Sequence, residues 1–396
     1  MSTLPPELLL DIIDSLVRSN PSHAARIPNL AALARVNRTF YSLANPLLYR
    51  TLFLDTSRRL KILSTLASRT DLAREVRTLT ISGGELSVGE YEFLKEVLST
   101  CSNISSLTYL CFDSWFLPSF TSYIAKMRWA HDLRYLRTDS KTGLYELLCR
   151  LPNLEELVAA RIDFPLPLPL SPDAAQAPTS PPQARPSFRL KRFDSGSSPL
   201  ASEFDALTAT SRSSLNDLDI PISSKSPLPN LSPFSALSHL TLTLAERYIP
   251  HNLDSRVGTQ GAPVRGDRDD VKCLRRVKAV LRTIEATTSA RDRPLRRLEL
   301  YQPDYKRTRE FSSDDIEEAE LLEAIPGSVA ELDLSTVQLS ASYLLKVFGR
   351  RGAQHERIDA PCCRGLRTLW LKGTGEGREE VERCLKERAI SVIWVF

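Results

Sequence analysis

The 396 residues carry 52 lysines and arginines against 48 aspartates and glutamates, a net charge of +4, with 42% hydrophobic and 25% charged positions. That balance excludes a strongly basic nucleic-acid binder as the overall character of the chain and leaves ample apolar material for a large core. No run of about 18 uncharged apolar residues occurs, and the Met1-Ser-Thr start lacks the basic and apolar regions of a signal peptide, which points to a cytoplasmic or nuclear protein.

The first element expected is a helix opening at Pro5-Pro6, where proline's fixed φ and missing amide suit a first turn. Leu8, Ile12 and Leu16 recur every four residues beside Leu9, Ile13 and Val17, giving one wide apolar stripe. Glu7, Asp11, Asp14 and Arg18 lie opposite, the acids near the positive end of the helix dipole. After a loop through Asn20-Pro21 and Pro28, Leu30, Leu33 and Val36 mark a second short helix. Arg38 to Ala44 form a third, stopped by Pro46. Three short helices with this much leucine cannot bury their own apolar surface, so another surface must cover part of it.

The next three hundred residues hold a degenerate LxxLxL pattern. It reads VRTLTI from Val76, LTYLCF from Leu107, LRYLRT from Leu133, LEELVA from Leu154, LKRFDS from Leu190, LNDLDI from Leu215, LSHLTL from Leu237, LRRLEL from Leu295, VAELDL from Val329 and LRTLWL from Leu366. The first positions stand 31, 26, 21, 36, 25, 22, 58, 34 and 37 residues apart. Most of these steps lie near the 20–29 of leucine-rich repeats, and the others carry insertions. A short strand with apolar positions i, i+3 and i+5 sends them into a core that one unit cannot close and stacked neighbours can. Helices are expected between strands at Tyr91 to Thr100, Leu144 to Arg150, Val271 to Glu285, Asp314 to Ile325, Tyr343 to Phe348 and Glu379 to Arg388. A last strand is expected at Ile390 to Phe396. The alternation specifies parallel strands with crossover helices.

Two segments interrupt the pattern. Residues 163–187 hold eight prolines and read as an extended insertion, and residues 247–270, rich in Gly, Arg and Asp, read as a second loop. Ser171, Ser180, Ser198, Ser226 and Ser232 each precede proline, as acceptors of phosphate often do.

Signals for chemistry are poor. The seven cysteines are odd in number and scattered, as expected of reduced thiols, with Cys101 and Cys111 acting as small apolar residues at repeat strands. Cys362-Cys363 with His355 lacks zinc-site spacing, so no metal or cofactor is expected. The five histidines pair with no nucleophile in sequence. Gly373, Gly375 and Gly377 are followed by Arg378 and flanked by Glu376, Glu379 and Glu380, which suits a turn and a capped helix rather than a phosphate loop. Lys272, Arg275, Arg276, Lys278 and Arg282 read as a solvated helix face. The chain is expected not to be an enzyme.

The run from Leu4 to Leu54, with its leucine-proline start, a helix of the form PxELLxxIxxxL and the segment VNRTFYSLANPLLYRTL, resembles the F-box, in wording close to F-box proteins of fungi. The resemblance implies that residues 1–54 dock on the Skp adaptor subunit of a cullin-RING ubiquitin ligase. It places Leu4, Pro5, Leu8, Leu9, Ile12, Leu16, Leu33, Val36 and Asn37 at or near that interface, with Phe40 and Tyr41 supplying the aromatic bulk of the third helix. The fold expected is α/β, a three-helix F-box followed over residues 55–396 by a leucine-rich-repeat-like solenoid that binds a target protein. The alternative is a ligase-independent binding protein whose N-terminal helices only cap the solenoid.

Overall fold

A computed structural model describes residues 5–19, 23–83, 86–110, 117–139, 143–160, 162, 185–196, 201–222, 229–244, 267–287, 294–301, 316, 320–337, 339–349, 364–373 and 377–395. The chain divides into two compact units, Met1–Phe188 and Arg189–Phe396.

The first unit opens with helices α1 (Pro6–Ser19), α2 (His23–Ala34) and α3 (Arg38–Arg50) and passes directly into strand β1 (Thr51–Leu54). There follow α4 (Arg59–Ser68), α5 (Thr70–Ala73), β2 (Thr78–Ser82), α6 (Val88–Thr100), β3 (Ser106–Leu110), α7 (Leu117–Ile124), β4 (Tyr135–Thr138), α8 (Leu144–Leu148) and β5 (Glu156–Ala159). Every strand pairs in parallel with the next strand in sequence. The register aligns Leu52, Leu79, Leu107, Leu136 and Leu157 in one row and Leu54, Ile81, Tyr109, Thr138 and Ala159 in a second, and both rows are buried.

The second unit repeats the plan with β6 (Arg192–Ser195), α9 (Ala201–Thr208), β7 (Asp217–Ile222), β8 (His239–Leu244), α10 (Asp267–Thr287), β9 (Arg297–Tyr301), β10 (Glu331–Leu334), α11 (Ala341–Phe348), β11 (Thr368–Lys372), α12 (Arg378–Glu387) and β12 (Ser391–Val395). These seven strands are also parallel and in sequence order. Phe193, Leu218, Leu240, Leu298, Leu332 and Leu369 make their central buried row.

All ten sequence motifs lie on strands, with one change of register. Leu107 pairs with Leu79 and Tyr109 with Ile81, so the third repeat begins at Ile104, not Leu107. Ile104, Leu107 and Tyr109 are all fully buried, and the steps from Val76 to Ile104 and on to Leu133 become 28 and 29 residues. A carbonyl just before each of eight strands joins one repeat to the next by accepting two consecutive amides. Arg77 O accepts from Ser105 and Ser106 (2.9 and 3.1 Å), Ser105 O from Arg134 and Tyr135 (2.8 and 3.1 Å), and Arg134 O from Glu155 and Glu156 (2.8 and 2.9 Å). Lys191, Asn216, Ser238, Arg296 and Ala330 do the same in the second unit. Asn103 and Asn153 add a side-chain link, their Nδ2 groups donating to Arg74 O and His131 O at 2.7 Å. Aromatic residues supply more of the core than composition suggests. Trp129 is buried and donates to Leu98 O at 3.0 Å, Tyr109 meets Phe120 edge-on at 5.5 Å, and Phe204 lies between Phe193 and Phe234.

Several boundaries differ from expectation. Pro28 and Pro46 lie inside α2 and α3 instead of in a loop and at a stop. Proline costs each helix one hydrogen bond, and Leu30, Ala44, Leu47 and Leu48, buried or half-buried against one another, offset that cost. Residues 267–270 open α10 rather than closing a loop. The helix expected to run to Ile325 does not, because Glu320 has φ 50°, the left-handed region, and a 3-10 turn follows at Leu322–Ala324. Residues 163–184 and 247–266, Cys111, His355, Cys362, Cys363, Ser171, Ser180, Ser198 and Ser226 lie outside the described residues. No helix among the described residues is long and apolar enough to cross a membrane.

In the first unit Arg59 is buried, with its Nε 3.1 Å from Glu90 Oε1 and its Nη1 donating to Gly83 O at 3.1 Å. Glu90 also closes a capping box with Ser87 at the start of α6. Burial pushes the Glu90 carboxyl up, but hydrogen bonds from Ser87 and Arg59 outweigh it and hold the group below the ordinary range. Glu90→Ala removes one charge-assisted hydrogen bond to the buried Arg59 and the capping box of α6 together, so thermal and urea unfolding should register a loss of about 2–3 kcal/mol, whereas the exposed neighbour substitution Glu92→Ala should cost under about 1.

Candidate functional site

Helices α1–α3 enclose a small core of Ile13, Leu30 and Ala44, against which Leu16, Leu33, Ala34, Phe40, Leu43, Leu47 and Leu48 pack. The apolar stripe of α1 is thereby split. Leu9 and Ile13 turn inward and are buried, whereas Leu8 (48% exposed) and Ile12 (43%) face outward. Leu10, Ile27, Val36 and Tyr41 are likewise exposed, Val36 the most at 62%.

Of the eleven residues expected at a docking surface, Leu8, Ile12, Val36 and Tyr41 are exposed apolar groups, and Pro5 is exposed beside them in sequence. Leu9 is instead a core residue, because its side chain falls on the inward half of the stripe. Leu16, Leu33 and Phe40 are half-buried against the three-helix core. Leu4 lies outside the described residues. Asn37 is exposed and has an internal role: with extended backbone (φ −162°, ψ 175°) it is the N-cap of α3, its Oδ1 accepting from Phe40 N at 2.8 Å. The Arg69 guanidinium pairs with the Asp71 carboxylate through two hydrogen bonds, at 2.9 and 2.7 Å. Leu10 and Ile27 were missed. Leu10 falls between the fourfold positions, and Ile27 lies in a stretch that Pro28 marks as loop. Ile27 is legible only once α2 is seen to continue through Pro28, and Leu10 only once packing divides the faces of α1.

Six large apolar side chains on three short helices and the turn between α2 and α3 cannot be explained by the core those helices enclose. Covering each, already about half-buried, would contribute about 1 kcal/mol, enough together to offset part of the cost of association. Residues 1–55 match the F-box-like family. F-box-like domains in general bind the Skp subunit, and the matched residues contain every exposed apolar group just described. No curated protein matches the chain.

The outward faces of the strands form a second surface. In the first unit they carry Thr78, Thr80, Ser106 and Thr108 at the centre. In the second they carry Arg192, Asp217, His239, Arg297 and Glu331 in one row and Asp194, Asp219, Thr241, Glu299 and Asp333 in the next. Arg192 lies 3.7 Å from Asp217, and Arg297 lies 3.9 Å from both Glu299 and Asp333. Asp219 accepts a hydrogen bond from the Thr243 hydroxyl at 3.3 Å. Burial, then the neighbouring Asp194 carboxylate, raises the Asp219 carboxyl to about 7 against the Thr243 bond, with Glu299 and Asp217 adding to the rise. Glu299 is also raised, by burial first and Asp333 second, against Arg297. Elsewhere, burial pushes the Cys101 thiol up to about 12, which makes it an apolar filler. Gly377, with φ 76°, starts α12, where Arg378 pairs with Glu382 at 2.9 Å and stacks over Trp394 at 5.0 Å.

Two outcomes follow. Asn37→Ala should lower stability by about 1 kcal/mol, and Asn37→Ser should restore most of it, measured by thermal melting. Asp219 holds its proton more tightly folded (about 7) than at its ordinary value of 3.8, so its contribution to stability falls as pH rises from about 4 to 7. Asp219→Asn should therefore be more stable than the native chain at pH 8, by about 1–3 kcal/mol after allowance for solvent screening, and the difference should vanish near pH 4.

Proposed function

We propose that the chain is a substrate-recognition adaptor of a Skp–cullin–F-box ubiquitin ligase. The observation that carries the proposal is the exposed apolar set Leu8, Ile12, Val36 and Tyr41, with Leu10 and Ile27, inside the residues that match the F-box-like family. These side chains would dock on the Skp subunit, in the manner of the fungal members that the segment VNRTFYSLANPLLYRTL resembles.

Residues 55–396 act, in this reading, as a divergent leucine-rich-repeat solenoid that binds a target protein. Parallel strands in sequence order, the repeated buried rows and the shared carbonyl before each of eight strands support it. Holding target and ligase on one chain replaces a bimolecular encounter with one at an effective concentration of about millimolar, so that the target's lysines meet a ubiquitin-loaded enzyme. The chain performs no bond chemistry itself, needs no cofactor, and works in the cytoplasm or nucleus.

Leu8→Asp or Ile12→Asp places a carboxylate in an apolar contact while leaving the helix core untouched, because both side chains point outward. Size-exclusion chromatography with the Skp subunit should show co-elution of the native chain, loss of at least 100-fold in affinity for either variant, and unchanged circular dichroism. Native-level binding by the variants would refute the docking face. Failure of the folded native chain to bind would make the helices a cap.

A further inference from the structure

The second unit's strand face contains a cleft with a specific origin. Strand β8 presents Thr241 between Asp219 of β7 and Glu299 of β9. Neighbouring strands lie about 4.8 Å apart, so the two carboxylates spring from backbones roughly 10 Å apart, with only a short threonine between them. The resulting cavity measures about 330 Å³ and has Tyr301 and His239 on its walls.

The charges around this cleft are incompletely matched. Arg192 is engaged with Asp217, and Arg297 is shared between Glu299 and Asp333 while its guanidinium lies 5.6 Å from the Trp370 ring centre. Among the described residues no cation lies within ion-pair distance of Asp219, which is half-buried. A carboxylate so placed is costly when ionised and gains most from an incoming positive group. The lining sets Asp217, Asp219 and Glu299 against Arg192 and Arg297, so acidic groups outnumber the basic ones and an anionic ligand is disfavoured. A cationic side chain fits better: its head has donors for carboxylates on both sides, and its stem or cation has the Tyr301 ring as a neighbour.

Resting on the target-binding reading above, we infer that the cleft over Thr241 receives an arginine or lysine side chain from an extended segment of the target protein. The small residue at the centre of β8 supplies the space, and the flanking carboxylates supply the selectivity. Thr241→Lys would fill the cleft with a tethered cation and mimic its occupant.

The test is fluorescence anisotropy of the full-length protein at pH 8 with a labelled peptide of Arg-Ser-Gly repeats, against the same peptide with Glu for Arg. The native chain should bind the arginine peptide at least tenfold more tightly. Asp219→Asn combined with Glu299→Gln should weaken it at least tenfold, and Thr241→Lys should abolish it. Because Asp219→Asn is expected to be at least as stable as the native chain at this pH, melting curves separate lost binding from lost folding. Equal affinity for the two peptides, or native affinity in the double variant, would overturn the inference, as would saturation by micromolar Ca²⁺ that excludes the peptide. Skp binding, measured on the same preparations, is a separate readout: co-elution with Skp without peptide selectivity sinks the cleft and leaves the adaptor reading standing. In Leu8→Asp, arginine-peptide binding should persist while Skp binding is lost.

Discussion

A parallel strand of four to six residues can neither bury its apolar row nor satisfy its own amides, and almost everything in this protein follows from how that shortage is met. Each strand borrows from the next. Ahead of eight strands, one carbonyl takes two consecutive amides of the following repeat, and leucines in register close over one another. The arrangement tolerates long and irregular excursions between strands, because only the short pairing segment must keep its register. It also explains why a repeat can use Tyr109, Thr138 or Ser195 at its last inward position: neighbouring rows carry the burial.

The N-terminal helices show the opposite economy. Their core is small, centred on Ile13, Leu30 and Ala44, and the sequence supplies more leucine and isoleucine than that core can take. The surplus sits outside on α1 and near the α2–α3 junction, inside the region that matches the F-box-like family. A surface of this kind makes sense as half of an interface, whose other half is a partner's apolar surface.

Side chains on the outward strand faces are free of packing demands, and the two units use that freedom differently. Threonine and serine line the centre of the first, whereas carboxylates with the guanidinium groups of Arg192 and Arg297 line the second. In-register pairing forces like residues together: Asp194 and Asp219 face each other because their strands align, and the short Thr241 opens a cleft because its neighbours are longer. Electrostatic mismatch is thus a by-product of register that a ligand can relieve.

The sequence by itself determined the ten repeat strands and the apolar character of the N-terminal helices, because periodicity of leucine is a local signal that burial enforces, whereas strand β1 and helices α4, α5, α7 and α9 carry no such signal. It misplaced what depends on distant partners. The third repeat's register was decided by pairing with β2, which draws Ile104 and Tyr109 inward. Pro28 and Pro46 were carried through helices by packing that no local rule contains. The α1 stripe read as one surface, and only tertiary packing divided it, turning Leu9 to the core and Leu8 and Ile12 to the outside. The cleft over Thr241 left no trace in the sequence, since its lining runs from Arg192 to Tyr301 and joins four separate strands. Local chemistry specified which residues would form strands and helices; the alignment of those strands, a long-range property, decided which side chains meet.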